Sequence, residues 1–230
     1  RVLVNILFLV VLKEKDLKGI KMIKEFCSEN HVAVVKALSL GAQRVELCDN
    51  LAVGGTTPSY AVIKHVCQLA HEQNATVMTM IRPRGGNFCY DQTEIEMMVE
   101  DCRIAIEMGS DGLVYGVLTE ENWLDEVALE QLLAVSTGHQ VVFHMAFDQI
   151  PRSRQFEAID WLASHEVTRI LTRGSLTGSA LQNIDWLRDI QAYADGKIEI
   201  LVGGGLTTEN VPTLLEALPI NQIHGTRLFW

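Results

Sequence analysis

No hydrophobic run in this 230-residue chain is long enough to cross a bilayer. The longest, Val2 to Leu12, falls well short of the ~20 residues that a spanning helix needs. Lys13-Glu14-Lys15-Asp16 follows it with no small-x-small site, so it also makes a poor secretory signal. Basic residues are in deficit, with 19 Lys+Arg against 29 Asp+Glu and a net charge of −10. No local stretch gathers them, which argues against nucleic acid as a partner. No two cysteines have C-x-x-C spacing, and their number, five, is odd. That disfavours a disulfide framework or a zinc site of the C-x-x-C kind and fits a reducing cytoplasm. Low-complexity stretches and Pro/Gly-rich linkers are missing too, so nothing divides the chain.

What is present is a globular composition, 48% hydrophobic and 21% charged. From Met22 onward, β-like runs alternate with patterns of helical period. The strand candidates are Lys24–Cys27, Arg44–Leu47, Thr76–Ile81, Gly112–Tyr115, Val141–His144, Arg169–Thr172, Glu199–Val202 and Gln222–Gly225. Between them, Ile95, Met98, Val99, Cys102, Ala105 and Ile106 share one helical face, as do Val211, Leu214, Leu215 and Leu218. Thr57-Pro58 reads as a helix start, and Asp91 with Glu94 has the spacing of a capping box. Such alternation makes a parallel sheet, and about eight units in this length suit a closed (β/α)₈ TIM barrel. An open doubly wound sheet would want a glycine fingerprint after its first strand, and Cys27-Ser28-Glu29-Asn30 is nothing like one. The expected organisation is one TIM-barrel domain over 22–230, with 1–21 a non-native or dispensable extension. Because Trp230 comes soon after the eighth strand, the last helix is expected to be missing.

In a barrel, function sits where strands end and loops begin. Alternation puts Glu25 and Cys27 on the side of the first strand away from Phe26. It likewise puts Arg44, Glu46 and Cys48 on the side of the second away from Val45 and Leu47. The apolar sides should meet helices, which turns the charged sides inward. Arg82, His144 and Asp148 come at or just beyond later strand ends. Buried charges need partners, so these residues form either a neutralised structural network or a polar pocket for a metal or a charged small molecule. In the pocket reading, Glu25 or Glu46 is the acid/base, His144 a second proton-transfer group, and Asp148 part of the same set. Gly203-Gly204-Gly205 and Gly225-Thr226-Arg227 follow the seventh and eighth strands, where barrels of this kind often hold phosphate; Arg84 and Arg173 are further anion-binding candidates. Cys27 and Cys48, if neighbours, offer two soft sulfurs suited to Cu(I).

Several segments resemble the CutC family, named for copper homeostasis. They are Arg44-Val45-Glu46-Leu47-Cys48, Gly54-Gly55-Thr56-Thr57-Pro58-Ser59, Ile81-Arg82-Pro83-Arg84-Gly85-Gly86-Asn87-Phe88-Cys89-Tyr90, Phe143-His144-Met145-Ala146-Phe147-Asp148, Ile170-Leu171-Thr172 and the triple glycine. The resemblance runs from about Met22 to the C-terminus. It implies a TIM barrel, a cytoplasmic location, self-association into a homo-oligomer, and copper handling by direct Cu(I) binding. The alternative is an enzyme acting on a small phosphorylated or anionic metabolite, for which the resemblance supplies no reaction. Three positions depart from the family pattern. The family commonly has arginine where this chain has Met145, and serine where it has Arg173, as if a positive charge had moved between neighbouring strand ends. Ser28 also stands where relatives often carry a second cysteine or a small residue.

Overall fold

The computed structural model describes residues 22–230, so the expectation for 1–21 lies outside the described residues. Eight strands, all parallel, form a closed barrel in sequence order. They are β1 Ile23–Glu29, β2 Arg44–Cys48, β3 Thr76–Met80, β4 Gly112–Tyr115, β5 Gln140–Phe143, β6 Arg169–Thr172, β7 Glu199–Val202 and β8 Gln222–Gly225. Seven α-helices follow β1 to β7 in turn: α1 Val34–Ser39, α2 Tyr60–His71, α3 Gln92–Glu107, α4 Glu126–Val135, α5 Arg152–Ser164, α6 Ile184–Ala194 and α7 Val211–Ala217. No helix lies between β8 and Trp230. Instead Phe229 and Trp230 pack against Phe26, with ring centroids 6.0 and 5.3 Å away, and cover part of the outside of β1. None of the described helices is long and apolar enough to cross a membrane.

The period-2 pattern sorts side chains as the alternation requires. Val45, Leu47, Val77, Leu113, Tyr115, Val141, Phe143 and Ile170 point outward and join the helices in the main apolar core. Cys27, Cys48, Met78, Met80, Val114, Val142, Leu171 and Leu201 form a separate cluster inside the barrel. Below that plug lies a polar belt. Arg44 pairs with Glu25 and donates to Gln222 Oε1 at 2.7 Å; Gln222 Nε2 donates to Glu199 Oε2 at 3.0 Å. Arg169 closes the belt onto Glu199 at 3.2 Å and Gln140 Oε1 at 2.6 Å. This belt is the neutralised network that the sequence offered as one reading of its inward charges, and it occupies the N-terminal half of the interior. Unpaired, those charges would carry a large desolvation penalty.

Local start signals hold at one helix and shift at another. Asp91 and Glu94 make a reciprocal capping box on α3. Helix α2 starts later than Thr57-Pro58 indicated: Ser59 is its cap, accepting from Val62 N–H. Thr57 is instead tied to the neighbouring strand end, its hydroxyl oxygen accepting from Arg82 N–H at 2.9 Å. Likewise β5 ends at Phe143, and His144 caps the 3₁₀ turn Met145–Gln149, its ring Nδ1 accepting from Ala146 N–H.

Candidate metal centre

Above the belt, three adjacent strands (β8, β1 and β2) bring polar and sulfur groups together across the barrel's closing seam. Cα register pairs Glu25 with both Arg44 and His224, and Cys27 with Glu46. Cys27, Glu46 and Cys48 form one set with ligand atoms all within 4.8 Å of one another; Glu25, Glu46 and His224 form a second. The sets share Glu46, and every member is buried. His224 Nδ1 lies 2.8 Å from Glu25 Oε1 and Nε2 lies 3.6 Å from Glu46 Oε2. The Cys48 thiol is 3.6 Å from Glu46 Oε2 and also meets the sulfur of Cys27.

The environment drives these groups apart in acidity. Burial alone would raise the Glu25 carboxyl, but Arg44 and His224 beside it prevail and hold it down at about 2. Burial pushes Glu46 well above the carboxylate range, against the pull of His224 and reinforced by Cys27 and Glu25. Burial works against charge on His224 too, yet Glu46, Cys27 and Glu25 outweigh it and raise that imidazole well above its ordinary value. The hydrogen bond from Cys48 lowers the Cys27 thiol, against burial, and the same bond followed by burial raises Cys48. The two inward glutamates therefore differ in proton affinity, as closely placed carboxylates must.

The other candidates lie at separate places around the rim. Arg82 is buried with its guanidinium committed to backbone, donating to the carbonyls of Val53, Gly55 and Gly86, each at 2.9 Å. Arg84 forks onto Glu94 at the start of α3. His144 packs against Phe88, the rings tilted with centroids 4.8 Å apart, and lies over the bare Cα of Gly116. Because Nδ1 accepts from Ala146 N–H, the ring proton sits on Nε2, which is buried without a partner. Burial, then Arg82, pushes this imidazole down to about 3. Asp148 accepts from the Thr172 hydroxyl and Arg173 N–H, while burial lifts it to about 6. Arg173 donates to the Met145 sulfur at 3.5 Å, so its charge lies over the side chain that stands where the family commonly has arginine.

The glycine loops make room for side chains. A Cβ on Gly203 would come within 3.0 Å of His224 Cδ2, one on Gly204 within 2.7 Å of Arg173 Cβ, and one on Gly205 within 3.1 Å of Ser179 Cβ. Gly203 N–H donates to the Thr172 carbonyl at 3.0 Å. Thr226 and Arg227 are exposed beyond Gly225, and the Arg227 carbonyl accepts from Thr208 N–H at 3.1 Å. His224 is not among the residues the sequence singled out. The signal was present, because Gln222 and His224 alternate with Ile223 as Glu25 and Cys27 do with Phe26.

A separate cleft of about 490 Å³ lies outside the barrel between the start of α2 and the middle of α3, lined by Tyr60, Met97 and Asp101 among others. It shares Arg82 with the rim but none of the thiol, glutamate or histidine groups.

These features define a (β/α)₈ barrel with a buried thiol–carboxylate–imidazole centre in its interior. The chain belongs to the CutC family, whose family model matches residues 22–228. It is 51% identical over 208 residues to a CutC family protein of Enterococcus faecalis, covering 90% of this chain and all of that protein. It is 38% identical to the human copper homeostasis protein cutC homolog over 87% of this chain and 71% of that one. A solved CutC structure from Streptococcus agalactiae, described as a copper homeostasis protein, superimposes with a TM-score of 0.87 at 48% identity, covering 90% of this chain and 99% of that one.

Proposed function

We propose that the chain serves copper homeostasis by holding Cu(I) between the thiolates of Cys27 and Cys48. The carrying observation is the meeting of these two buried sulfurs from neighbouring strands. Thiolate is a preferred ligand of Cu(I), and the bare Cα of Gly55, 3.1 Å from Cys48 Sγ when extended by a Cβ, leaves the sulfur uncrowded. Five free thiols fit a reducing compartment such as the cytoplasm, and the family resemblance adds self-association into a homo-oligomer. Competition titration with a Cu(I) chelator tests the reading. Cys27→Ser and Cys48→Ser should each weaken affinity by at least ~10-fold, on the scale on which one ligand contributes about 1.4 kcal/mol or more, while Cys67→Ser leaves it unchanged. Equal effects from all three would mean unspecific thiol binding and end the proposal.

A second reading, an enzyme acting on a small anionic or phosphorylated metabolite, draws on two buried nitrogens without hydrogen-bond partners, His144 Nε2 and Arg173 Nε, the latter 4.0 Å from Asp148 Oδ2. In it His144 is a neutral hydrogen-bond donor rather than a base, Arg173 supplies charge, and the Gly203–Gly205 and Gly225–Arg227 loops supply amides. Phosphate at a hundredfold excess over its dissociation constant should stabilise the protein by about 2.7 kcal/mol, and Arg173→Ser should remove that gain. An equal gain in both proteins defeats it.

A further inference from the structure

His224 is held in the manner of a metal ligand. Its Nδ1 is fixed by Glu25 at 2.8 Å, and Glu25 is itself fixed by Arg44. That leaves Nε2 directed at Glu46 Oε2, 3.6 Å away, the carboxylate that also belongs to the set with Cys27 and Cys48. A carboxylate on the far nitrogen of a histidine sets the ring's orientation and raises the donor strength of the near one. Glu46 supplies a second sign. Its Oε1 is buried and accepts from no protein group, although nearly all buried polar atoms in folded proteins find a partner. The third is space. Gly203 presents no side chain to the His224 ring and Gly55 none to Cys48, and a methyl at either position would press within 3.0–3.1 Å of the donor residue.

We propose that Cys27, Cys48, Glu46 and His224 together form a site for a borderline divalent cation of the Zn²⁺ type, with Glu25 as the residue that orients His224. The four donors come from three consecutive strands, β8, β1 and β2, and all are buried. Two sulfurs, one imidazole nitrogen and one carboxylate oxygen suit tetrahedral Zn²⁺, which accepts this mixture, whereas Cu(I) favours the soft sulfurs. The proposal shares the two thiols with the Cu(I) reading but does not depend on it.

The test uses the full chain, reduced and stripped of metal, with Zn²⁺ as the probe. A chromophoric chelator competition should show one Zn²⁺ per chain. X-ray absorption at the zinc edge of the wild-type complex should show two sulfurs at about 2.3 Å and two nitrogen or oxygen neighbours at about 2.0–2.2 Å. His224→Gln should weaken Zn²⁺ binding by at least ~10-fold, as loss of one ligand does, while changing Cu(I) affinity by less than ~3-fold. A shell without sulfur, or unaltered Zn²⁺ affinity in a folded His224→Gln protein, overturns the proposal. If that variant does not fold, the wild-type absorption spectrum decides. Should Zn²⁺ bind as described while the Cu(I) titration fails, only the copper reading falls.

Discussion

Glu25 and His224 stand 199 residues apart in the chain and are hydrogen-bonded at 2.8 Å across the strand pair that closes the barrel. The same carboxylate neutralises Arg44 from the next strand. One buried group therefore joins the first, second and last strands. Glu25→Gln removes the negative charge and leaves Arg44 buried without compensation. Breaking a buried pair from one side costs about 3–5 kcal/mol. Urea unfolding should show a loss of that size with an unchanged dependence on denaturant.

Two buried groups, His144 and Glu25, should each lose stabilisation in acid, His144 from the higher pH. His144 has its folded value pushed down to about 3, against about 6.5 when unfolded. Between these values the unfolded chain binds a proton that the native state refuses, so the contribution of His144 to stability falls as pH drops from about 6.5 towards 3. Glu25, at about 2 in the fold and about 4.3 unfolded, gives full stabilisation above the unfolded value and loses it as pH falls through about 2. His144→Gln should remove the His144 contribution, so the variant should lose less unfolding free energy than the wild type between about pH 6.5 and 4.5. Asp148, lifted to about 6, acts in the opposite direction there in both proteins. The lower window, that of Glu25, should stay in place.

Arg82→Lys should loosen the rim beside Cys48. The guanidinium joins two loops by reaching the carbonyls of Val53 and Gly55 on one side and Gly86 on the other. An ammonium lacks the planar fork that spans both. Charged hydrogen bonds contribute about 1.5–3 kcal/mol each, so the melting temperature should fall. Hydrogen exchange should speed up at Gly54 and Gly55, and Cys48 should react faster with a thiol reagent.

Gly203→Ala should act on His224 by crowding alone. The added methyl would meet His224 Cδ2 and Leu171 Cδ1 at 3.0 Å and Met145 Cε at 3.1 Å. Overpacking of this kind costs about 1–3 kcal/mol. Thermal unfolding measures the loss, and the imidazole proton resonances of His224 should shift.

Much of this architecture is written locally. Alternation along Arg44-Val45-Glu46-Leu47-Cys48 is a property of extended backbone, so it tells which side chains go inward before any partner strand is known. The bounds of β4, β6, β7 and β8 were readable for the same reason. So was the capping box at Asp91 and Glu94, whose members lie three residues apart.

What the sequence by itself determined is therefore the strand–helix order, the inward faces of the first two strands and, through its motifs, membership of the CutC family. Only the tertiary structure decided which inward groups meet. It set Arg44 on Glu25 in a structural belt, turned Arg82 to backbone carbonyls and laid Arg173 over Met145. It also made the triple glycine a bed for side chains and brought His224 beside Glu25 and Glu46, the latter shared with Cys27 and Cys48. The reason is physical. Side-chain direction follows from the local backbone, whereas meeting depends on register between strands and on closure of the sheet. In a barrel that closure pairs the first strand with the last, a relation that no local spacing encodes.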